Sequence, residues 1–257
     1  MKGIPPVLLA ALFFAAPLVL VFGLYALLTR GRRRLIAEIR ERAEERGWKF
    51  GRQSWLGDPT ALRIEGWGSA SKWILKSGGA GEHRRGWSAE LSLRFPTLAG
   101  EVDLAVFPRD QHDRLKIFSP RISPEAQAKL AALSGTAASV LGFLREAQEF
   151  PAGVPEFDAT YRVMALPTRV TASPVDAALA QRLLHWPADA IKPHSVIAWR
   201  DPFGLHVQVR LPSTPNWPTV AYFVAVAEDF ARHLPPPVGG SEPHGFVDGL
   251  VARLLGS

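Results

Sequence analysis

The chain has 257 residues, 47% of them hydrophobic, with 30 Lys and Arg, 24 Asp and Glu, and no cysteine. The lack of cysteine excludes a disulfide framework, a thiol nucleophile, thiolate-held zinc and iron–sulfur clusters. A net charge of +6 suggests an anionic partner, but the excess is local: Lys2, Arg30, Arg32, Arg33 and Arg34 precede the first acidic residue, Glu38, and the other 25 basic residues nearly balance the 24 acidic ones. Nucleic acid is therefore not an expected partner.

An uncharged stretch from Gly3 to Thr29 opens the chain. Its apolar part, Ile4–Leu28, exceeds the roughly 20 residues that cross the hydrocarbon of a bilayer, even with Pro5, Pro6 and Pro17 inside it. A cleaved signal peptide has a shorter apolar core, a small-x-small site after it and its positive charge in front. Here the apolar run continues through Tyr25 and Leu28, and the charge follows it. Residues 1–34 thus read as a single-pass anchor with a basic flank, residues 4–28 lying in the lipid bilayer. Four arginines on the C-terminal side against Lys2 on the other place the remainder in the cytoplasm, at the inner membrane of the cell. Each flanking arginine adds about 1 kcal/mol of attraction to anionic headgroups.

Leu35–Arg46 reads as a juxtamembrane helix, with Leu35, Ile36, Ile39 and Ala43 on one stripe, mixed Glu and Arg elsewhere, and Gly47 as its stop. From Trp48 to Phe118 the period changes to two. Ala61–Glu65, Lys72–Lys76, Ser88–Phe95 and Glu101–Phe107 read as strands of an antiparallel meander, so that residues 35–122 form a helix and strand block. Trp48, Trp55, Trp67, Trp73 and Trp87 crowd this block and are expected to pack its core and rim, a ligand-stacking surface being the alternative.

Ser123-Pro124-Glu125 is a helix start, and the pattern predicts a long packing helix within residues 123–150. Leu130, Leu133, Ala137, Val140, Leu141 and Leu144 share one face beside a stripe of small residues, Ala131, Gly135, Ala138 and Gly142. Leu130–Leu144 is too short for a second span, and an oligomer interface is the alternative to internal packing. Residues 151–240 read as a strand, helix, hairpin and helix that complete one domain with 35–122. Tyr161–Leu166 is the strand, and Ser173-Pro174-Val175-Asp176 starts a helix that Pro187 stops. Ser195–Trp199 and Leu205–Leu211 flank the turn Arg200-Asp201-Pro202-Phe203-Gly204, and Asn216-Trp217-Pro218 opens the last long helix. Residues 241–257 form an amphipathic tail, open to docking on this domain, on a partner or on lipid.

The fold expected is α+β: an N-terminal transmembrane helix followed by a mixed, largely antiparallel sheet packed with several helices. The chemistry is sparse. Phosphate-binding, zinc-protease, nucleophile-elbow and calcium-loop patterns do not occur. Gly66-Trp67-Gly68 starts like a dinucleotide fingerprint but has Ser71 in place of the third glycine and no helix after it, and Ser69-Ala70-Ser71-Lys72 fits a Ser-x-x-Lys pattern without its companion motifs. His185, His194 and His206 are spaced by nine and twelve residues, which matches no compact metal motif. Trp199, Arg200, Asp201 and Phe203 at the hairpin corner are the candidate patch for a ligand or partner; Asp201 bonding its own backbone in a structural turn is the alternative.

Leu62-Arg63-Ile64-Glu65-Gly66 with Trp73-Ile74-Leu75, and Trp199-Arg200-Asp201-Pro202-Phe203-Gly204-Leu205 with Val207, resemble segments of uncharacterised bacterial single-pass membrane proteins with a cytoplasmic domain of unknown function. The resemblance implies no catalytic residue. The expected function is a membrane-tethered, non-enzymatic protein-interaction or scaffolding module with a membrane-protein partner and no cofactor or metal. The alternative is a membrane-bound hydrolase or metal-dependent enzyme using the C-terminal histidines or Ser69 with Lys72.

Overall fold

The computed structural model describes residues 30–31, 33–52, 62–68, 71–78, 89–110, 143 and 146–234. The expected span over residues 4–28, Ser69, and the tail 241–257 lie outside them. Among the described residues no helix is long and apolar enough to cross a membrane.

Helix α1 covers residues 30–31 and 33–45. Three- and four-residue spacing puts Ile39 and Ala43 on one side, both fully buried. Arg40–Glu44 and Arg42–Glu45 pair on the other side at 2.8 and 3.2 Å. Behind it run β1 (Lys49–Arg52), β2 (Leu62–Trp67), β3 (Lys72–Gly78) and β4 (Ala89–Phe95), each antiparallel to the one before. Their alternation is strict. Leu62, Ile64, Trp73, Leu75, Leu91, Leu93 and Phe95 are buried, while Arg63, Glu65, Lys72, Ile74, Lys76, Glu90, Ser92 and Arg94 on the opposite face are half-exposed.

The remaining strands are β5 (Leu104–Pro108), β6 (Gln148–Glu149), β7 (Tyr161–Ala165), β8 (Ser195–Asp201) and β9 (Gly204–Leu211). All nine strands among the described residues join one antiparallel sheet in the order β1-β2-β3-β4-β9-β8-β5-β7-β6. Strand β5 is buried on both sides. Leu104 and Val106 enter the main core, and Ala105 and Phe107 enter a second, smaller core with Val102, Phe143, Met164, Ile197 and Trp199. The expected strand from Glu101 starts three residues late, because Glu101 and Val102 lie in a bend. The helix expected within 123–150 lies mostly outside the described residues, and it does not reach 150: Gln148 and Glu149 pair with Ala165 and Met164 at the sheet edge, where cross-strand hydrogen bonds override helical spacing.

Three helices cover the main core with α1. Helix α2 (Pro155–Thr160) was not expected; it starts on Pro155 and buries Phe157, which stacks on Tyr161 at 4.9 Å. Helix α3 (Ala177–Leu184) is capped by Asp176, whose carboxylate accepts from the Leu179 amide at 2.7 Å, and not by Ser173, whose hydroxyl donates to the Phe150 carbonyl. It ends three residues before Pro187, as a residue preceding proline resists the helical region. Helix α4 (Trp217–His233) has Asn216 as its cap, accepting from Thr219 N at 3.1 Å. Tyr222 of α4 donates from its hydroxyl to the Arg182 carbonyl of α3, and buried Asp229 pairs with Arg182 and Arg232.

The Gly66-Trp67-Gly68 glycines have a packing reason and no phosphate-binding one. A Cβ at Gly66 would fall inside the Trp73 indole, and one at Gly68 would fall on the Glu228 carboxylate. Trp73 Nε1 in turn donates to Glu228 Oε1 at 3.0 Å, and Trp48 meets Trp73 edge-on at 4.8 Å. Gly66→Ala is expected to cost about 1–3 kcal/mol in chemical denaturation, since an indole in a packed core cannot step aside. Gly68→Ala is expected to cost less, because the end of a glutamate side chain swings away readily.

Burial raises the Glu228 carboxyl above its usual range, an effect larger than the opposing hydrogen bond from Trp73. A carboxyl raised in this way works against folding once ionised, and ceases to do so as pH falls below the ordinary carboxylate range. Glu228→Gln keeps an acceptor for Trp73 and removes the charge. It is expected to raise the melting temperature at pH 7–8, with the gain shrinking toward zero by pH 4.

Candidate functional site

The β8–β9 hairpin is tighter than the sequence suggests. Arg200 pairs with Leu205 and Asp201 with Gly204, leaving only Pro202 and Phe203 in the turn. Two features close it. The Asp201 carboxylate accepts from the Phe203 amide at 2.8 Å, and Gly204, at φ +142, passes against the Phe95 carbonyl where a side chain would not fit.

Asp201 is buried and spends both oxygens inward. Its Oδ2 accepts from Trp199 Nε1 at 3.1 Å, and its Oδ1 lies 3.0 Å from His206 Nε2. Trp199 and His206 face each other across β8 and β9, stacked at 4.8 Å with ring planes 2° apart. Asp201 thus fixes both rings, a carboxylate orienting an imidazole and an indole together. Among the described residues Asp201 is the sole hydrogen-bond partner of the His206 ring.

The stacked pair forms one end of a hollow of about 170 Å³ on the polar face of the sheet, lined by Ile74, Lys76, Glu90, Ser92, Arg94, Trp199, His206 and Gln208. Register explains the lining. Ile74, Arg94, His206 and Trp199 stand in one line across β3, β4, β9 and β8, and Lys76, Ser92 and Gln208 stand in the next. At the rim of the face Glu65 is held below the usual carboxylate range by hydrogen bonds from Lys72 and then Arg63. Glu90 faces Arg210 at 4.0 Å.

The predicted site residues separate. Trp199 reaches the hollow, and Asp201 holds it from behind. Arg200 turns to the other face of β8, where it is 1% exposed and bonds Asp103 through Nε at 2.8 Å and through Nη2. Phe203 sits half-buried in the turn. Arg30, Arg33 and Arg34 are exposed on the first turns of α1, and Arg32 lies outside the described residues. The histidines do not meet: His185 bonds Gln181 O at the end of α3, and His194, bonded to Arg210 O, lies about five residues along β9 from His206, roughly 17 Å. Among the described residues no group of three or more His, Cys, Asp or Glu is placed to hold a metal. Lys72 is paired with Glu65 at 2.9 Å. Lys76, Ser92, Arg94 and Gln208 were missed by sequence reasoning. Alternation marks three of them as wet-face residues, but which strands adjoin is not written in alternation.

No protein-family model matches the chain, and no curated protein matches it. Among solved structures, the crystal structure of the mycobacterial trehalose monomycolate transport factor A, TtfA, is similar at 14% identity and a TM-score of 0.38, over 80% of this chain and 99% of that one. A likeness so slight carries no argument about function.

Removing one partner of a buried ion pair is strongly destabilising. Asp103→Ala is accordingly expected to destabilise the fold by about 3 kcal/mol, read by urea denaturation, because the Arg200 guanidinium, 1% exposed, loses its bonds to that carboxylate.

Proposed function

We propose that the chain is a membrane-tethered, non-enzymatic interaction module that meets a membrane-protein partner on the cytoplasmic side through the polar face of β2, β3, β4 and β9. The observation that carries this reading is the division of that face. Across β5, β7 and β8 it is a packed apolar core, whereas across β2 to β4 the described side chains, apart from half-exposed Ile74 and exposed Trp67, are charged or polar and half-exposed, with a hollow between the two. The tether rests on the uncharged residues 3–29 and the arginines after them. Arg30, Arg33 and Arg34 stand exposed at one end of α1, and Ile39 and Ala43 bury its other half in the core, which couples the basic flank to the sheet through one helix.

A photo-crosslinking residue placed at Ser92 or Phe203 in the full chain, expressed in its native cells, tests this. Each is expected to give one discrete heavier product in the carbonate-resistant membrane fraction, and the same residue at Gln181, on the exposed side of α3, none. Release of the chain by carbonate, or equal labelling from all three positions, would refute it.

A further inference from the structure

We propose that the hollow beside the Trp199–His206 stack binds a compact organic acid, a single carboxylate carried on a flat apolar body. The lining is divided in the way such a ligand requires. Ile74 and the Trp199 ring supply apolar surface at the two ends of one row, with Arg94 and His206 between them, and Lys76, Ser92 and Gln208 form a row of hydrogen-bonding groups beside it.

That row is uncommitted within the described structure. No side-chain hydrogen bond or ion pair ties Lys76, Ser92 or Gln208 to another described residue. Gln208 is the telling member: it is 4% exposed, yet its amide finds no protein partner there and lines the hollow. That amide opens on the hollow, and a ligand seated there would take up its free hydrogen-bonding capacity. The Lys76 ammonium only donates, and the Ser92 hydroxyl and Gln208 amide can donate beside it, which suits an acceptor-only group such as an ionised carboxylate.

Charge narrows the class. Lys76 and Arg94 line the hollow against Glu90, which faces Arg210 at 4.0 Å, so the lining carries a small positive excess that matches one negative charge better than two. Backbone amides, the usual cradle of phosphate, are spent here in the ladders joining β3, β4 and β9. Size agrees: a cavity of about 150 Å³ accepts one benzene ring, and this hollow measures about 170 Å³.

Benzoate is the probe, with benzamide as its neutral isostere and inorganic phosphate as the competing anion. The purified full chain in detergent is titrated while the indole Nε1–H resonance assigned to Trp199 is followed by NMR. This needs no partner, so its result is separate from that of the crosslinking experiment. Saturable benzoate binding in the millimolar range or tighter is expected, at least 10-fold weaker for benzamide, for phosphate and for Lys76→Gln. Lys76 is half-exposed, and Lys76→Gln is expected to melt within a few degrees of the parent chain; Ser92→Ala serves as the second variant and is expected to weaken binding about 3-fold or more. Absence of saturable binding, equal affinity for benzamide, tighter binding of phosphate, or benzoate affinity unchanged in both variants would each overturn the proposal.

Discussion

The structure depends on a narrow seam. Strand β8 pairs with β9 over seven positions but with β5 over only Ala105–Trp199 and Val106–Ala198, so the sheet is two ribbons joined by a short ladder. Beside that ladder the Arg200–Asp103 pair spans the join, and Gly100 N donates to Asp201 O at 3.0 Å. The second core packs over the same place, with Ile197 and Trp199 from one ribbon against Ala105, Phe107 and Met164 from the other. Two adjacent residues of the hairpin thus serve opposite faces of the sheet. Arg200 secures the join from one side, and Asp201 orders the Trp199–His206 stack on the other.

This arrangement explains why the corner Trp199-Arg200-Asp201-Pro202-Phe203 stands out in the sequence as a candidate patch. An arginine and an aspartate next to two aromatics look like surface recognition, and in an isolated hairpin they would be. Buried in the middle of a nine-stranded sheet, their charges are consumed by internal partners, one of them 97 residues away. The recognition chemistry passes instead to the neighbouring strands, where Lys76, Ser92 and Gln208 have no such demand on them.

What was legible in the sequence is what depends on local spacing. Ala89, Leu91, Leu93 and Phe95 alternate with Glu90, Ser92 and Arg94, and the two faces of β4 follow directly. Asn216 before Trp217-Pro218 marks the start of α4 because the cap is a bond to an amide three residues on. Strand neighbours were not legible. Nothing local says that β9 inserts between β4 and β8, or that β5 lies between β8 and β7, and the hollow exists only because of those choices. Helix α2 was hidden for a different reason: it is six residues long, and its stability comes from Phe157 entering the core and from Asp158 accepting the Ala152 and Gly153 amides, not from helical periodicity.

Helix α1 has a mechanical meaning. Its exposed arginines and its core residues Ile39 and Ala43 lie within four turns of one another, and Arg46, next to its last residue, stacks over both Trp48 and Trp217 at 5.5 and 5.2 Å. There is no slack between the two ends. A pull applied at Arg30 does not first straighten a linker; it loads the helix in shear against the sheet, and resistance comes at once from the tryptophan cluster that binds α1, β3 and α4. Force or torque entering the chain at that end is therefore felt at β3, the strand that carries Ile74 and Lys76 into the hollow.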